Sequence, residues 1–214
     1  MQFVLSKKGQ QLIKMYEEMV SGGYMRKDGV DLADAFSDFS SRFYRIPIKE
    51  QFTQFEIKTI LDYGCGGSDW TSKNFCETGE SAQEFYDLDK CFRYEPARGF
   101  DERTKVDCVI SFDVLEHVFI ADVENTLNDI FSCAKKLVIL NIACYSANAL
   151  LPNGENAHIT VRDGKWWKAQ LDNCALRFPN IYIQLLTSVD WQKTESFPTY
   201  RGQDWLDSEK FVTE

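Results

Sequence analysis

Apolar residues recur at two spacings along this chain, and the switches between them outline its elements. Leu5, Leu12, Ile13, Tyr16, Met19 and Val20 return at helical intervals, which predicts a helix over 4–20 closed by Gly22-Gly23. Ala35, Phe36, Phe39 and Phe43 share one face in the same way and predict a second helix over 31–44, broken by Ile46-Pro47-Ile48. A third short helix over 48–55 completes a helical preface that runs to residue 57. The pattern then tightens. Residues 58–63 read as a strand, Ser68–Phe75 as a weak helical stretch, and Gly79 as a turn. Glu84-Phe85-Tyr86-Asp87-Leu88 reads as a second strand, and Val106–Phe112 as a third, buried one. A helix is predicted over Asp122–Ala134. Asp122 is its cap, and Val123, Leu127, Ile130, Phe131 and Ala134 face inward, while Lys135-Lys136 suit its negative end. Leu137–Ile142 and Ile181–Val189 are further strands, 151–163 a loop or short extended segment, and Trp166–Asn173 a helix. Residues 190–214 are mostly polar and read as an edge strand or a loose tail. Strands alternating with helices predict an α/β fold with a mostly parallel sheet. The expected organisation is one structural unit, with a cap over 1–57 and a sheet domain over 58–214.

Composition narrows the classes. A chain of 214 residues, 44% apolar and 27% charged, is sized for one domain with a real core. No apolar run approaches a membrane span, and the stretch from Met1 to Lys8 lacks a secretory signal's apolar segment, so a cytoplasmic location away from membranes is expected. The seven cysteines are odd in number, widely spaced and without a Cys-x-x-Cys pair, which argues for free thiols and against a zinc site of cysteines. Net charge is −9, with Lys and Arg scattered, which argues against a nucleic-acid partner.

The chemistry concentrates at Ile60-Leu61-Asp62-Tyr63-Gly64-Cys65-Gly66-Gly67. An apolar strand that ends in an acid and turns through glycines presents bare backbone at the carboxyl edge of a sheet, where open α/β sheets bind ligands. A nicotinamide loop would carry a third glycine facing a pyrophosphate, but Asp69 stands there and would repel it. Asp62 before the loop, and Asp87 with Asp89 after it, favour a cationic nucleoside ligand instead.

On these residues the chain resembles the class I S-adenosylmethionine-dependent methyltransferases. Ile60–Gly66 is similar to their first motif, Tyr86-Asp87-Leu88-Asp89 to their second-strand motif, and Asp107–Val118, with its Leu115-Glu116-His117, to their fourth-strand segment. The stretch Leu151–His158 followed by Trp166-Trp167 is similar to a poorly characterised phage and bacterial branch. The resemblance covers 58–142. It implies a Rossmann-like, mostly parallel twisted sheet with helices on both faces and an N-terminal helical cap. It also implies roles. Gly64, Cys65 and Gly66 would lie against the methionine part of S-adenosylmethionine, Asp62 would help hold its amino group, and Asp87 would bind the ribose hydroxyls. Leu88 would lie against the adenine, and Ser111, Phe112 and Asp113 would line the methionine end. Residues 90–106 are short for the usual helix plus strand, so the adenine side is expected to be rebuilt, with Asp101 and Glu102 as candidates.

Transfer of a methyl group to oxygen or nitrogen benefits from a base, and the chain has two histidines, His117 and His158. His158 follows the strand 137–142 and is read as a base or substrate contact, or as a ring that holds its loop. Asp113, Glu116 and His117 share a face on a helical turn. That spacing resembles the metal-binding arrangement of ubiquinone-pathway O-methyltransferases and small-RNA 2′-O-methyltransferases, with His158 as a further ligand. The expectation is no metal, with a divalent ion on Asp113, Glu116, His117 and His158 as the alternative. Trp166 and Trp167, and the aromatic residues Phe36, Phe39, Phe43 and Tyr44, are expected to pack rather than bind. The expected activity is methyl transfer to a small-molecule acceptor, a sugar or nucleotide-linked sugar being a loose guess. The rivals are a metal-assisted 2′-O-methyltransferase acting on a nucleic-acid end and a non-catalytic cofactor-binding module.

Overall fold

The structure is a computed structural model that describes residues 4–33, 40–190 and 193–206. Ser6 opens the first helix, α1 (Lys7–Gly22), by accepting the Gly9 amide at 3.1 Å. Gly23, at φ +81°, ends it. The next segment is not the predicted helix over 31–44. It contains an antiparallel hairpin of β1 (Tyr24–Met25) and β2 (Asp31–Leu32), then a 3₁₀ turn over Ser40–Tyr44. Ala35, Phe36 and Phe39 lie outside the described residues, and Phe43 is 87% exposed rather than on a buried face. Helix α2 (Arg45–Gln54) starts ahead of Pro47, so the proline sits in a first turn, where its missing N–H is not needed, and breaks nothing. The preface is therefore part hairpin, not wholly helical.

The remaining elements are β3 (Thr59–Tyr63), α3 (Ala82–Phe85), β4 (Lys90–Glu95), β5 (Phe100–Asp101), β6 (Val106–Phe112), α4 (Val123–Cys133), β7 (Ala134–Ala143), α5 (Gly164–Ala175), β8 (Tyr182–Asp190), β9 (Lys193–Ser196), β10 (Tyr200–Arg201) and α6 (Gly202–Leu206). The sheet runs β10-β8-β7-β6-β3-β4-β5, with β9 also paired to β8. Strands β4, β3, β6, β7 and β8 are parallel, and β5, β9 and β10 add antiparallel margins. The fold is mixed α/β with a mostly parallel central sheet flanked by helices.

Three predicted elements move. Glu84–Leu88 is not a strand, because Ser81 and Glu84 close a reciprocal capping box that starts α3 there. The strand comes later, as β4. The stretch Ser68–Phe75 forms turns instead of a helix, held by the buried rings of Trp70 and Phe75. Lys135 and Lys136 are not at a helix end, since β7 begins at Ala134. The Lys136 ammonium instead donates to the carbonyls of Phe55 and Glu56 at 3.3 and 2.7 Å.

Side chains alternate along the strands, as a sheet buried on both faces requires. Leu61, Val109, Val138 and Leu140 pack on one face against α4 and α5, around Leu127, Phe131 and Trp167. Ile60, Ile110, Leu137 and Ile139 pack on the other, against Ile48 and Phe52 of α2 and the rings of Trp70, Phe75 and Tyr86. A third small core joins Leu12 and Met19 of α1 to Ala147, Leu151 and Ala157 in the long connection after β7. Helix α1 thus covers the carboxyl edge of the sheet rather than a face. That edge also carries the reversal in strand order: β3 leads outward to β4, whereas β6 pairs on the other flank of β3. Adjacent loops part at such a reversal and leave a crevice. Among the described residues, no helix is long and apolar enough to cross a membrane. All seven cysteines are free thiols.

Candidate functional site

The crevice beyond β3 and β6, roofed by α1, is a cavity of about 650 Å³. Its floor is the glycine loop. Gly64 has φ +81° and Gly66 φ +53°, and a Cβ on Gly64 would stand 2.3 Å from a methyl of Val114. Gly64 also donates its N–H to the Tyr94 carbonyl at 2.7 Å, which ties the loop to the end of β4.

Two acids flank this loop. Asp62, the fourth residue of β3, is buried, and one of its oxygens accepts the Trp70 indole N–H at 2.8 Å. Burial pushes its carboxyl up to about 7, against the opposing pull of that hydrogen bond. Glu95 is the last residue of β4. One of its oxygens accepts the Gly66 N–H at 3.1 Å and the other accepts the Ala97 N–H at 3.1 Å. Burial raises its pKa as well. Glu95 therefore holds the position at the second strand's carboxyl end that was expected of Asp87. Asp87 itself, with Leu88, precedes β4 at the opposite edge of the sheet. Its carboxylate is exposed and ion-paired with Lys58, while Leu88 is buried in the second core. Neither lines the cavity.

The other expected residues divide in the same way. Asp62, Gly64, Cys65, Gly66, Phe112, Asp113, His117 and His158 all line the cavity. Ser111 does not, being 1% exposed within β6. Asp101 and Glu102 do not either. Asp101 is engaged by Arg103, and Glu102 accepts the Arg93 N–H at 2.8 Å. Trp167 is fully buried in the first core, with Trp166 packed against it. Tyr44 stacks on Phe112 at 5.7 Å and hydrogen-bonds Thr194 at 2.7 Å. Sequence reasoning missed Glu95, Tyr16, Arg98, Thr126, Tyr145 and Asp190, all of which line the cavity. The Ser81-x-x-Glu84 capping box was the available signal for Glu95, because a helix at 82–85 displaces the strand toward it.

The histidines meet at the end of the cavity below the middle of α1. Their rings stand edge to face with centroids 4.7 Å apart. His158 Nδ1 lies 2.5 Å from the Tyr145 carbonyl oxygen. A carbonyl accepts only from an N–H, so Nδ1 carries the proton and Nε2 holds a bare lone pair. His117 Nδ1 lies 3.0 Å from the Ala157 carbonyl and 2.7 Å from the Tyr16 hydroxyl, which itself donates to that carbonyl at 2.9 Å. All three contacts are attractive only when His117 too is protonated on Nδ1. Burial pulls the His117 pKa down to about 3, with His158 adding to the effect, and burial lowers that of His158 also. Both imidazoles are neutral near pH 7.

Glu116 lies beside them, fully buried. One oxygen accepts the Ala143 N–H at 2.8 Å, and Asp113 shares a side-chain hydrogen bond with the carboxyl. Burial, then the Asp113 carboxylate, raise its pKa far above the usual range. The ligand atoms of Glu116, His117 and His158 fall within 4.8 Å of one another, a group that Asp113 does not join. Among the described residues, five carboxylates line the whole cavity, those of Asp62, Glu95, Asp113, Asp122 and Asp190, against the single guanidinium of Arg98. Burial raises the pKa of two of these acids, Asp62 and Glu95, and a bound cation would favour their ionised forms.

The chain matches no family model, no curated protein and no solved structure.

Proposed function

We propose that this protein is an S-adenosylmethionine-dependent methyltransferase of Rossmann-like fold, acting on an oxygen or nitrogen of a small-molecule acceptor. The observation that carries the reading is the Glu95 carboxylate, hydrogen-bonded to the glycine loop at the strand-order reversal. A carboxylate beside a backbone cradle at that edge suits the hydroxyls of a ribose. The residues fit the cofactor on two further counts. The Gly64 position has no room for a side chain, so bare backbone faces the cavity, and the excess of carboxylates suits a ligand that carries a sulfonium and an ammonium.

When bound, S-adenosylmethionine supplies an electrophilic methyl group on sulfur. Asp62 and Glu95, which flank the loop, would hold and orient it. His158 Nε2 would accept the proton of the acceptor's hydroxyl or amine. The Tyr145 carbonyl holds that ring in the tautomer the task needs, and His117 packs edge-on against it. Helix α1 covers the cavity and limits water, so the protein's part is alignment, deprotonation and exclusion. The roof over a cavity of about 650 Å³ favours a small acceptor over a nucleic-acid end.

Calorimetric titration with S-adenosylhomocysteine tests the reading. Binding is expected, and Glu95→Gln should weaken it by roughly tenfold to a hundredfold, the worth of a charge-assisted hydrogen bond. Absence of binding at millimolar ligand would sink it.

A second reading is favoured by the convergence of Glu116, His117 and His158, whose candidate ligand atoms lie within 4.8 Å of one another. A Glu116 carboxylate oxygen with one ring nitrogen from each histidine would make a donor set suited to a divalent transition ion. An ion there would act as a Lewis acid on the acceptor oxygen, and His158 would serve as ligand rather than base. Metal analysis of the purified protein beside Glu116→Gln and His158→Ala separates the two readings. One equivalent lost in both variants supports the ion, and a metal-free parent that takes up neither zinc nor manganese refutes it.

A further inference from the structure

Helix α1 turns its inner face to the cavity more than to the core. Leu5, Gly9, Leu12, Ile13, Tyr16 and Val20 line the cavity along the length of the helix. Of these, only Gly9 and Leu12 are buried, and the other four are part-buried. The apolar seat is correspondingly small. Leu12 and Met19 meet Ala147, Leu151 and Ala157, with Met15 and Tyr16 part-buried beside them. Strands β6 and β7, by contrast, are buried almost throughout. An element with little buried apolar surface opens at a lower free energy than the core it rests on.

Polar contacts hold the helix down at two points. At its start, Asp122 accepts both the Ser6 N–H and the Ser6 hydroxyl, each at 2.7 Å. Asp122 does not cap α4, the role its sequence position predicts, because Ser6 takes its oxygens. Nearly three turns on, the Tyr16 hydroxyl donates to the Ala157 carbonyl at 2.9 Å and stands 2.7 Å from His117 Nδ1. The Tyr16 and His117 rings meet edge to face, with centroids 5.5 Å apart. The Lys8–Glu155 pair is exposed and adds little. The helix also touches the 3₁₀ turn over Pro96–Arg98. Its other end is built differently. Gly22 and Gly23 close it, and a Cβ on Gly22 would meet nothing within 4 Å. The hairpin that follows is tied to the body through backbone. Lys27 donates its N–H to the Asn148 carbonyl at 2.8 Å, and Leu150 donates to the Met25 carbonyl at 2.9 Å. Rotation at the glycine pair therefore lifts α1 while the hairpin stays in place.

We propose that α1 is a lid hinged at Gly22-Gly23, that it lifts as one unit ahead of the sheet, and that Tyr16 is the latch that joins its closure to the histidine pair. Closure sets the Tyr16 oxygen on His117, whose ring packs edge-on against His158, so the roof and the two rings are placed together. Off its seat, a lone 16-residue helix is marginal in water, so its amides exchange with solvent whenever the lid lifts. The inference concerns motion, and it stands apart from the identity of the ligand.

The experiment is amide hydrogen exchange on the full chain without ligand, read residue by residue by NMR. Protection along α1 should be uniform and at least about a hundredfold below that of β6 and β7. Tyr16→Phe should speed exchange about five- to tenfold along all of α1, including the Gln10 amide, which donates to the Ser6 carbonyl at 3.0 Å, well away from the altered ring. Ile139→Val, a change within the sheet, should speed exchange in β6 and β7 about two- to tenfold and leave α1 unchanged, because the sheet stays folded when the lid lifts. Protection of α1 equal to that of the sheet overturns the lid. So does an α1 that follows Ile139→Val, or a Tyr16→Phe effect confined to one turn. Saturating S-adenosylhomocysteine should slow exchange throughout α1, and a bound ligand that leaves it unchanged also overturns the lid. A chain that keeps the expected ligand-free pattern but does not bind S-adenosylhomocysteine supports the lid and overturns the methyltransferase reading.

Discussion

Asp62 is a carboxyl that folding keeps protonated at a pH where the unfolded chain has lost its proton, and this makes it a measurable liability. Its pKa rises from 3.8 to about 7 through burial. The folded state then holds more protons than the unfolded state between these values, so this group lowers stability as pH rises across that window. A tenfold change in proton affinity is worth about 1.4 kcal/mol, which makes the full penalty about 4 kcal/mol above pH 7. Less than half of it has developed at pH 5, leaving about 2–3 kcal/mol to appear by pH 8. His117 works in the opposite sense. Its pKa falls from 6.5 to about 3, so its penalty is absent above 6.5 and grows as pH falls toward 3. A comparison of parent with Asp62→Asn cancels the histidine. Asparagine keeps an oxygen for the Trp70 indole and has no charge to bury. Urea unfolding at pH 5 and pH 8 should therefore show the variant gaining on the parent by about 2–3 kcal/mol over the interval. Free-energy curves that run parallel across the interval would refute the argument. A cation bound beside Asp62 would favour its ionised form. The gap should then narrow in the presence of S-adenosylmethionine.

Further outcomes follow from the same geometry. Gly64→Ala places a side chain at φ +81° against Val114, and should cost about 1–3 kcal/mol in chemical denaturation and remove binding of S-adenosylhomocysteine. A variant with the parent's stability and affinity would show that the loop is not under this constraint. Asp87→Ala should leave ligand affinity unchanged in the same titration, because the exposed Asp87–Lys58 pair lies at the far edge of the sheet. A loss of affinity would restore the ribose role to Asp87. Ser6→Ala removes the hydroxyl that receives the Gly9 amide and donates to Asp122, so exchange of the Gly9 amide should accelerate and stability fall by about 1 kcal/mol. Unchanged exchange would show that α1 is held by its apolar side alone.

The contrast between Asp87 and Glu95 marks how far the sequence reached. Tyr86-Asp87-Leu88-Asp89 has the look of a strand ending in acids, and only local hydrogen bonding refuses it. Ser81 and Glu84 fix a helical turn at 82–85, and β4 then runs in register with β3 so that Tyr94 pairs with Tyr63. Glu95 falls one residue beyond that pair, level with the glycine loop. Its strand, Lys-Cys-Phe-Arg-Tyr-Glu, is only part-buried and breaks up the apolar signal that periodicity depends on. Asp122 was readable as a helix cap, but a partner from 116 residues earlier took its oxygens.

What the chain determines by itself is the local part: the α/β alternation, the glycine turn after β3, the buried strands β6 and β7, and two histidines placed where loops leave the sheet. These features depend on neighbours within a few residues, and side-chain periodicity and backbone freedom express them directly. What only the tertiary structure decided is which distant groups converge. Helix α1 lies over the carboxyl edge through Ser6–Asp122 and Tyr16–His117, contacts spanning 116 and 101 residues. Strand register set Glu95 against Gly66. Burial raised the pKa of Asp62 and, among the described residues, left the hydroxyl of Thr126 without a partner. Desolvation depends on everything packed around a group, and most of what surrounds these residues comes from elsewhere in the chain.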